Sequence, residues 1–211
     1  MHSEADGELK SPPKDGSRRG RDQADASELA RRLVGWFESP TSYVVALSGG
    51  VDSAVVAMAA KQSTASVQLV TARSPAVSAI ELDDVERLIK QLELPHQYLA
   101  TSELSLPGYV ANGPDRCFHC KSELFSRVRA EFPKHVILTG TNADDLQDFR
   151  PGLRAAKEHR VRSPLAELAI EKRKVRQLAK LWGLPVSTKP ASPCLSSRIA
   201  HGVEVTGERL A

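Results

Sequence analysis

The segment that most constrains the fold is residues 43–53, Tyr-Val-Val-Ala-Leu-Ser-Gly-Gly-Val-Asp-Ser. An apolar, β-branched stretch enters a Ser-Gly-Gly turn, and an Ala- and Val-rich helix leaves that turn at about Val51. The order predicts a strand, a tight loop and a helix whose first backbone N–H groups and dipole converge on one point. Glycine lets the backbone approach an anion closely, and serine adds hydroxyl donors. We therefore predict a phosphate site formed by Ser48, Gly49, Gly50, Val51, Asp52 and Ser53.

Asp52 is the unexpected member of this group. A carboxylate beside bound phosphate would repel the ligand unless a cation lies between them. Oxygen ligands of this kind suit Mg²⁺, which commonly bridges a carboxylate and phosphate oxygens. We expect Asp52 to hold Mg²⁺.

The loop lacks the Gly-x-x-x-x-Gly-Lys-Ser/Thr pattern, so transfer of a terminal phosphoryl group is not favoured. The segment 48–53 instead resembles the PP-loop of the ATP pyrophosphatases. That resemblance implies that ATP is held by its pyrophosphate while a substrate oxygen attacks the α-phosphorus. The expected product is an adenylated substrate.

The composition is that of a globular protein, with 211 residues of which 41% are hydrophobic and 26% charged. We expect one main domain. No apolar run is long enough to span a bilayer, and the N-terminus has no apolar signal core, so we expect a cytoplasmic protein without a membrane partner. A net charge of +3 with interspersed acids and bases does not support nucleic acid as a partner.

Strand and helix patterns alternate along the chain. Strands are predicted at 43–47, 66–72, 96–100 and 135–139, and helices at 51–61, after the capping box of Ser78 and Glu81, at 115–132 and at 170–182. This order predicts an α/β fold, a mostly parallel sheet with helices on both faces. We divide the chain into a disordered tail (1–26), an ATP-binding domain (27–188) that opens with a helix at Ser27, and a C-terminal loop region (189–211).

Ligands of such folds bind at the carboxyl ends of the strands. Ala72 follows the second predicted strand, and Gly140 and Thr141 follow the fourth. We expect these three residues to complete a nucleotide site, with the base near Ala72.

The chain has three cysteines, Cys117, Cys120 and Cys194. A Cys-x-x-Cys pair with a distant third cysteine favours metal, cluster or redox chemistry over a structural disulfide. Zinc would need a fourth ligand, for which His119 or His201 is available, whereas a [4Fe-4S] cluster needs only three thiolates if one iron stays open. Lys189 and Arg198 flank Cys194 in sequence and would favour its thiolate.

Six segments together resemble the LarE family: 48–53, 116–125, 140–145, 149–156, 161–165 and 189–198. These are PP-loop, ATP-dependent sulfur transferases that help to build the nickel-pincer nucleotide cofactor, with an adenine nucleotide alpha hydrolase-like fold. The similarity covers about residues 29–205. The family continues for some tens of residues beyond the position of Leu210. By this comparison we expect the chain to be either a fragment or a shortened member of the family.

The resemblance implies that ATP adenylates a carboxylate of a pyridinium dicarboxylate mononucleotide, and that sulfur then displaces AMP to give a thiocarboxylate. Cys194 matches the sulfur-handling cysteine, and Arg198 and Arg150 are assigned to substrate or AMP phosphate. The family uses either a sacrificial cysteine, which becomes dehydroalanine, or a [4Fe-4S] cluster on three cysteines. The presence of Cys117, Cys120 and Cys194 favours the cluster. A homo-oligomer is a further expectation.

Three other functions share parts of this pattern. A tRNA thiolase combines a PP-loop with cluster-binding cysteines but needs an RNA-binding module. An amide-forming synthetase of the NAD or GMP synthetase kind leaves the cysteines without a role. A non-catalytic nucleotide- or zinc-binding module would not release pyrophosphate from ATP.

Overall fold

The computed structural model describes residues 16–37, 41–147 and 150–211. The strands are β1 (Ser42–Ala46), β2 (Ser66–Arg73), β3 (His96–Ala100) and β4 (Val136–Leu138). The α-helices are α1 (Gly16–Gly35), α2 (Val51–Gln62), α3 (Ala79–Leu92), α4 (Pro107–Val110), α5 (Arg116–Glu131), α6 (Pro151–Glu158), α7 (Pro164–Glu167), α8 (Lys172–Leu181) and α9 (Gly207–Leu210). Short 3₁₀ helices cover Glu103–Ser105, Asp144–Gln147 and Leu195–Arg198.

The four strands form one parallel sheet in the order β3-β2-β1-β4. Val44, in the middle of β1, is paired with Gln68 of β2 on one side and with Ile137 of β4 on the other. The predicted α/β class and parallel sheet are confirmed. β1 is therefore a central strand, and the loop that follows it lies in the middle of the carboxyl edge of the sheet.

Helices cover both faces of the sheet, as predicted. Tyr43 and Val45 pack with α1, α2, α3 and α8, whereas Val44, between them in sequence, packs with α5 and α6. Side chains alternate across a strand, so one β-branched run fills both cores.

Helix α2 is almost completely buried, from Val51 to Ala60 apart from Asp52. Its small Ala and Val side chains allow β1, α1, α3 and α8 to approach closely. This packing holds the helix that begins at the predicted phosphate loop.

The first helix differs from the prediction. α1 begins at Gly16, and Ser27, the predicted N-cap, lies inside it, where its Oγ donates to the carbonyl of Gln23. Ala26, Ala30 and Leu33 are packed in the core and hold the helix in place. Because each residue added to an existing helix gains one backbone hydrogen bond, the helix extends from there towards its N-terminus. The helix start at Ser27 is therefore wrong, and residues 16–26 of the predicted tail are helical. Residues 1–15 lie outside the described part of the chain.

The C-terminal segment packs on the side of the sheet where the cysteines lie. Val205 and Leu210 form a small apolar cluster with Ala76 and Tyr109. Through this cluster the 3₁₀ helix Leu195–Arg198 is held beside α4 and α5. Among the described helices, none is long and apolar enough to cross a membrane.

Candidate active site

The loop after β1 is held in shape by its own serines. The Ser53 hydroxyl accepts a hydrogen bond from the Ser48 backbone N–H at 3.2 Å and donates to the Gly50 carbonyl at 3.1 Å. Gly49 has φ +73°, and a Cβ there would lie 2.7 Å from the Glu81 carbonyl oxygen. Glycine is required at this position both for the backbone angle and for the close approach. The loop therefore presents the first N–H groups of α2 as an anion site.

The end of β4 lies directly against this loop. A Cβ on Gly140 would lie 2.5 Å from the Ser53 backbone nitrogen. Two residues further on, the buried Asn142 side chain donates to Asp52 Oδ1 at 3.1 Å. The structure thus brings together two segments that the sequence analysis assigned to one nucleotide site.

Two lysines that the sequence analysis did not assign to ATP hold the same loop. Lys172, the first residue of α8, forms an ion pair with Asp52. Lys189 contacts the Gly49 carbonyl at 3.2 Å and pairs with Asp84 of α3 at 2.5 Å. Their partners lie far away in the sequence, and nothing local distinguishes these residues from surface lysines. Lys189 was expected to act on Cys194, but its ammonium group is engaged at the phosphate loop instead.

A polar cavity of about 440 Å³ opens over this end of the site. Its lining includes Ser48, Gly50, Val51, Asp52, Asn142, Arg150, Lys172 and Lys189. Arg150 is half exposed and forms an ion pair with Asp145 at 2.8 Å. Glu81, Asp144 and Asp145 line it as well, so its three cationic side chains lie among carboxylates. An oligophosphate bound here would draw the lysines away from their present carboxylate partners.

A second cavity, of about 460 Å³, runs from the same loop to the cysteines. The predicted residues that line it are Ser48, Gly50, Asp52, Ser53, Ala72, Cys120, Gly140, Thr141, Arg150 and Cys194. Glu103, Tyr109 and Lys121 line it as well and were not predicted. The structure therefore connects the phosphate loop and the sulfur of Cys194 through one continuous space.

A buried arginine organises the cysteine end. Arg116, only 7% exposed, donates from Nη1 to Asn112 Oδ1 at 2.6 Å and to the Ser196 carbonyl at 2.7 Å. Its Nη2 donates to Ser197 Oγ at 3.0 Å, and that oxygen lies 3.3 Å from Cys194 Sγ.

Asn112 extends the same network, because its Nδ2 donates to the Ala200 and Val203 carbonyls at 2.8 Å each. α4, α5 and the Cys194 loop are thus joined by one set of hydrogen bonds. Arg116 and Asn112 lie beside the Cys-x-x-Cys motif, but no local pattern indicates what they contact.

The three cysteines are not equivalent. Cys117 is exposed and lines neither cavity, whereas Cys120 and Cys194 are both partly buried and line the larger cavity. Burial raises the pKa of the Cys120 thiol to about 11. Within residues 16–37, 41–147 and 150–211, no group of three or more His, Cys, Asp or Glu side chains is arranged to hold a metal ion.

Two further candidates lie away from the cavities. Arg198 is exposed and lines neither of them. His119 packs its ring over Gly108 of α4, where a Cβ would lie 2.2 Å from Nε2. That ring therefore faces α4.

The parallel sheet, the Ser-Gly-Gly-Val-Asp-Ser loop and the polar cavity above it define a PP-loop protein of the ATP-utilizing class. Residues 42–111 match the family model of the queuosine biosynthesis protein QueC. The structure of NMN synthetase from Francisella tularensis is similar in fold, with a TM-score of 0.60 at 21% identity over 79% of this chain and 75% of that one.

Curated relatives extend the comparison. An uncharacterized protein of Synechocystis sp. is 43% identical over 79% of this chain. The pyridinium-3,5-bisthiocarboxylic acid mononucleotide synthase of Lactiplantibacillus plantarum is 33% identical over 85% of this chain and 67% of its own length. The chain belongs to the LarE family that this synthase represents. It spans 64% of the Synechocystis protein and likewise 64% of a Methanocaldococcus jannaschii relative that is 29% identical.

Proposed function

We propose that this chain is an ATP-dependent sulfur transferase that converts a carboxylate of a pyridinium mononucleotide into a thiocarboxylate. The observation that carries the proposal is the single cavity with the PP-loop at one end and Cys194 at the other. An acyl adenylate formed at the loop would need to move little to meet a sulfur nucleophile. The LarE relationship supports the same reaction.

In the adenylation half of the reaction, the backbone N–H groups at Gly49, Gly50 and Val51 hold the pyrophosphate of ATP. Asp52 would hold Mg²⁺, which would offset phosphate charge, with Lys172 moved from that carboxylate to a phosphate oxygen. The substrate carboxylate oxygen attacks the α-phosphorus, and the bond to the β-phosphate oxygen breaks with release of pyrophosphate. Ala72 borders the adenine, and Arg150 balances phosphate charge from the cavity rim.

In the sulfur half, the Cys194 thiolate attacks the acyl carbon, and AMP leaves with the electrons of the broken C–O bond. Loss of the Cys194 Cα proton and cleavage of its Cβ–Sγ bond then give the thiocarboxylate and dehydroalanine. This route needs no sulfur beyond that of Cys194. A cluster on Cys117, Cys120 and Cys194 is the alternative sulfur source, and it requires Cys117 to turn inward. We propose a cytoplasmic location for either route, since both consume ATP.

To test this, the protein is purified anaerobically and its iron and sulfide contents are measured. Pyrophosphate release is then assayed with ATP and the pyridinium dicarboxylate mononucleotide. The intact mass of the protein is measured after one round of reaction. We expect substrate-dependent pyrophosphate release and a mass loss equal to H₂S at Cys194. Cys194→Ser should keep pyrophosphate release and lose thiocarboxylate, whereas Cys117→Ala should keep both. Stoichiometric iron with unchanged protein mass would replace the sacrificial route by the cluster route. No pyrophosphate release under any condition would overturn the proposed function.

A further inference from the structure

Glu103 is a buried carboxylate at the cysteine end of the larger cavity. It begins the 3₁₀ helix Glu103–Ser105 after β3, is 3% exposed, and lines the cavity together with Tyr109 and Cys120. It has no role in the adenylation or sulfur-transfer steps described above.

The carboxylate of Glu103 has no side-chain hydrogen bond or ion pair with any residue that the structure describes. The other buried charged side chains do have partners: Asp84 pairs with Lys189 and Arg87, and Arg116 donates to several acceptors. Lys121 lines the same cavity but forms no ion pair with Glu103. Burying an ion without a partner is costly, so such a residue is retained where a ligand supplies the partner.

Tyr109, Cys120 and Lys121 line the cavity together with Glu103, and Lys121 is the cationic side chain among these four. Glu103 therefore places a carboxylate that pairs with no described cation at the wall of the cavity.

We propose that Glu103 forms a cation subsite that takes the quaternary ring nitrogen of the pyridinium substrate. This inference rests on the proposed function and adds how the ring is recognised. Besides its ribose phosphate, the pyridinium dicarboxylate mononucleotide carries two ring carboxylates that Glu103 would repel, so the proposed orientation places the positive ring nitrogen nearer to Glu103 than either carboxylate. That orientation turns the carboxylates away from Glu103, one of them towards the acyl-transfer position between Cys194 and the PP-loop.

The test is equilibrium binding by calorimetry to the purified full chain. One ligand is the pyridinium dicarboxylate mononucleotide, and the other is a neutral analogue with a benzene ring and the same carboxylates and ribose phosphate. We expect the wild type to bind the cationic ligand about tenfold more tightly than the neutral one. The neutral ligand lacks one charge pair, and a tenfold ratio of dissociation constants corresponds to about 1.4 kcal/mol. Glu103→Gln, which removes no hydrogen bond, should abolish the preference, and Glu103→Asp should keep part of it.

Glu158→Gln is the matched control, since Glu158 is exposed on α6 and its one ion pair among the described residues is with Arg154. It should leave the preference unchanged. Equal binding of the two ligands by the wild type would overturn the subsite without any variant. An unchanged preference in Glu103→Gln would also overturn it. If that variant kept the preference and lost only the release of sulfur from Cys194, Glu103 would act as a proton acceptor and not as a cation subsite. A wild type that binds neither ligand would overturn the proposed function as well.

Discussion

The two ends of the active-site cavity are built in opposite ways. At the phosphate end, charges are already paired: Lys172 with Asp52, and Lys189 with Asp84. At the cysteine end, the buried Arg116 contacts only neutral acceptors among the described residues, and Glu103 has no partner. A ligand at the first end must displace existing ion pairs, whereas a ligand at the second end supplies a missing charge. The first arrangement favours exchange of a common, strongly charged nucleotide, and the second favours discrimination between substrates.

The largest effect is expected from Gly140→Ala, which breaks the phosphate end alone. The added methyl group would meet the Ser53 backbone nitrogen at 2.5 Å and displace the PP-loop. A displacement of that size should lower substrate-dependent pyrophosphate release by about 100-fold. Gly207→Ala, where a Cβ meets nothing within 4 Å, is the control and should retain full activity. Equal activity of the two variants would contradict the assigned role of the loop.

Arg116→Met should break the cysteine end and spare the other. Without the guanidinium, Ser196 and Ser197 lose their anchor and Cys194 loses its position, so acyl transfer should fall between about tenfold and 100-fold. Pyrophosphate release should stay within about twofold of wild type, because the PP-loop is untouched.

Ser197→Ala, a milder change at an exposed residue, should show the same separation of the two steps with a smaller loss. Ser126→Ala, on the exposed side of α5, is its control. A parallel fall of both steps in Arg116→Met and Ser197→Ala would indicate general damage and refute the positioning role.

Lys172→Gln tests the role of the Lys172–Asp52 ion pair at the phosphate end of the cavity. Losing a charged hydrogen bond to phosphate should raise the KM for ATP by about tenfold, with a smaller change in kcat. Because Asp52 is then free of its competitor, half-saturation by Mg²⁺ should need less metal. Lys180→Gln, an exposed lysine near the end of the same helix, should change neither value. A higher Mg²⁺ requirement in Lys172→Gln would show that Lys172 does not compete for Asp52.

The smallest effect is a difference in reactivity between the cysteines. Burial raises the pKa of Cys120 to about 11, so at pH 8 it remains a protonated, poorly nucleophilic thiol. Peptide mapping after iodoacetamide treatment at pH 8 should show the exposed Cys117 modified first and Cys120 last. The rate at Cys120 should rise as the pH approaches 11, and the difference should vanish in denaturant. Equal rates at pH 8 in the folded protein would rule out a buried Cys120.

Local patterns predicted the elements well where packing agrees with them. The Ser78 capping box is present with both of its hydrogen bonds, and β3 spans the predicted residues. The start of α1 was missed because its first turns have no apolar pattern of their own. They continue a helix whose packed residues lie further along the sequence, from Ala26 onwards. Lys172, Arg116 and Glu103 were missed for a different reason: their roles depend on partners or on a cavity that no local spacing encodes.

The sequence by itself determined the parallel α/β fold and the phosphate loop, because strand, turn and helix signals between residues 43 and 62 depend on neighbouring residues. It also indicated Cys194 as a candidate sulfur-handling residue through its motif, a role that stays a prediction. Only the tertiary structure decided which side chains contact each other. Lys172 pairs with Asp52 across 120 residues of sequence, and Arg116 donates a hydrogen bond to Ser197 across 81. It likewise decided that Cys120 and Cys194 face one cavity while Cys117 does not. Burial and long-range electrostatics arise only when the helices close over the sheet.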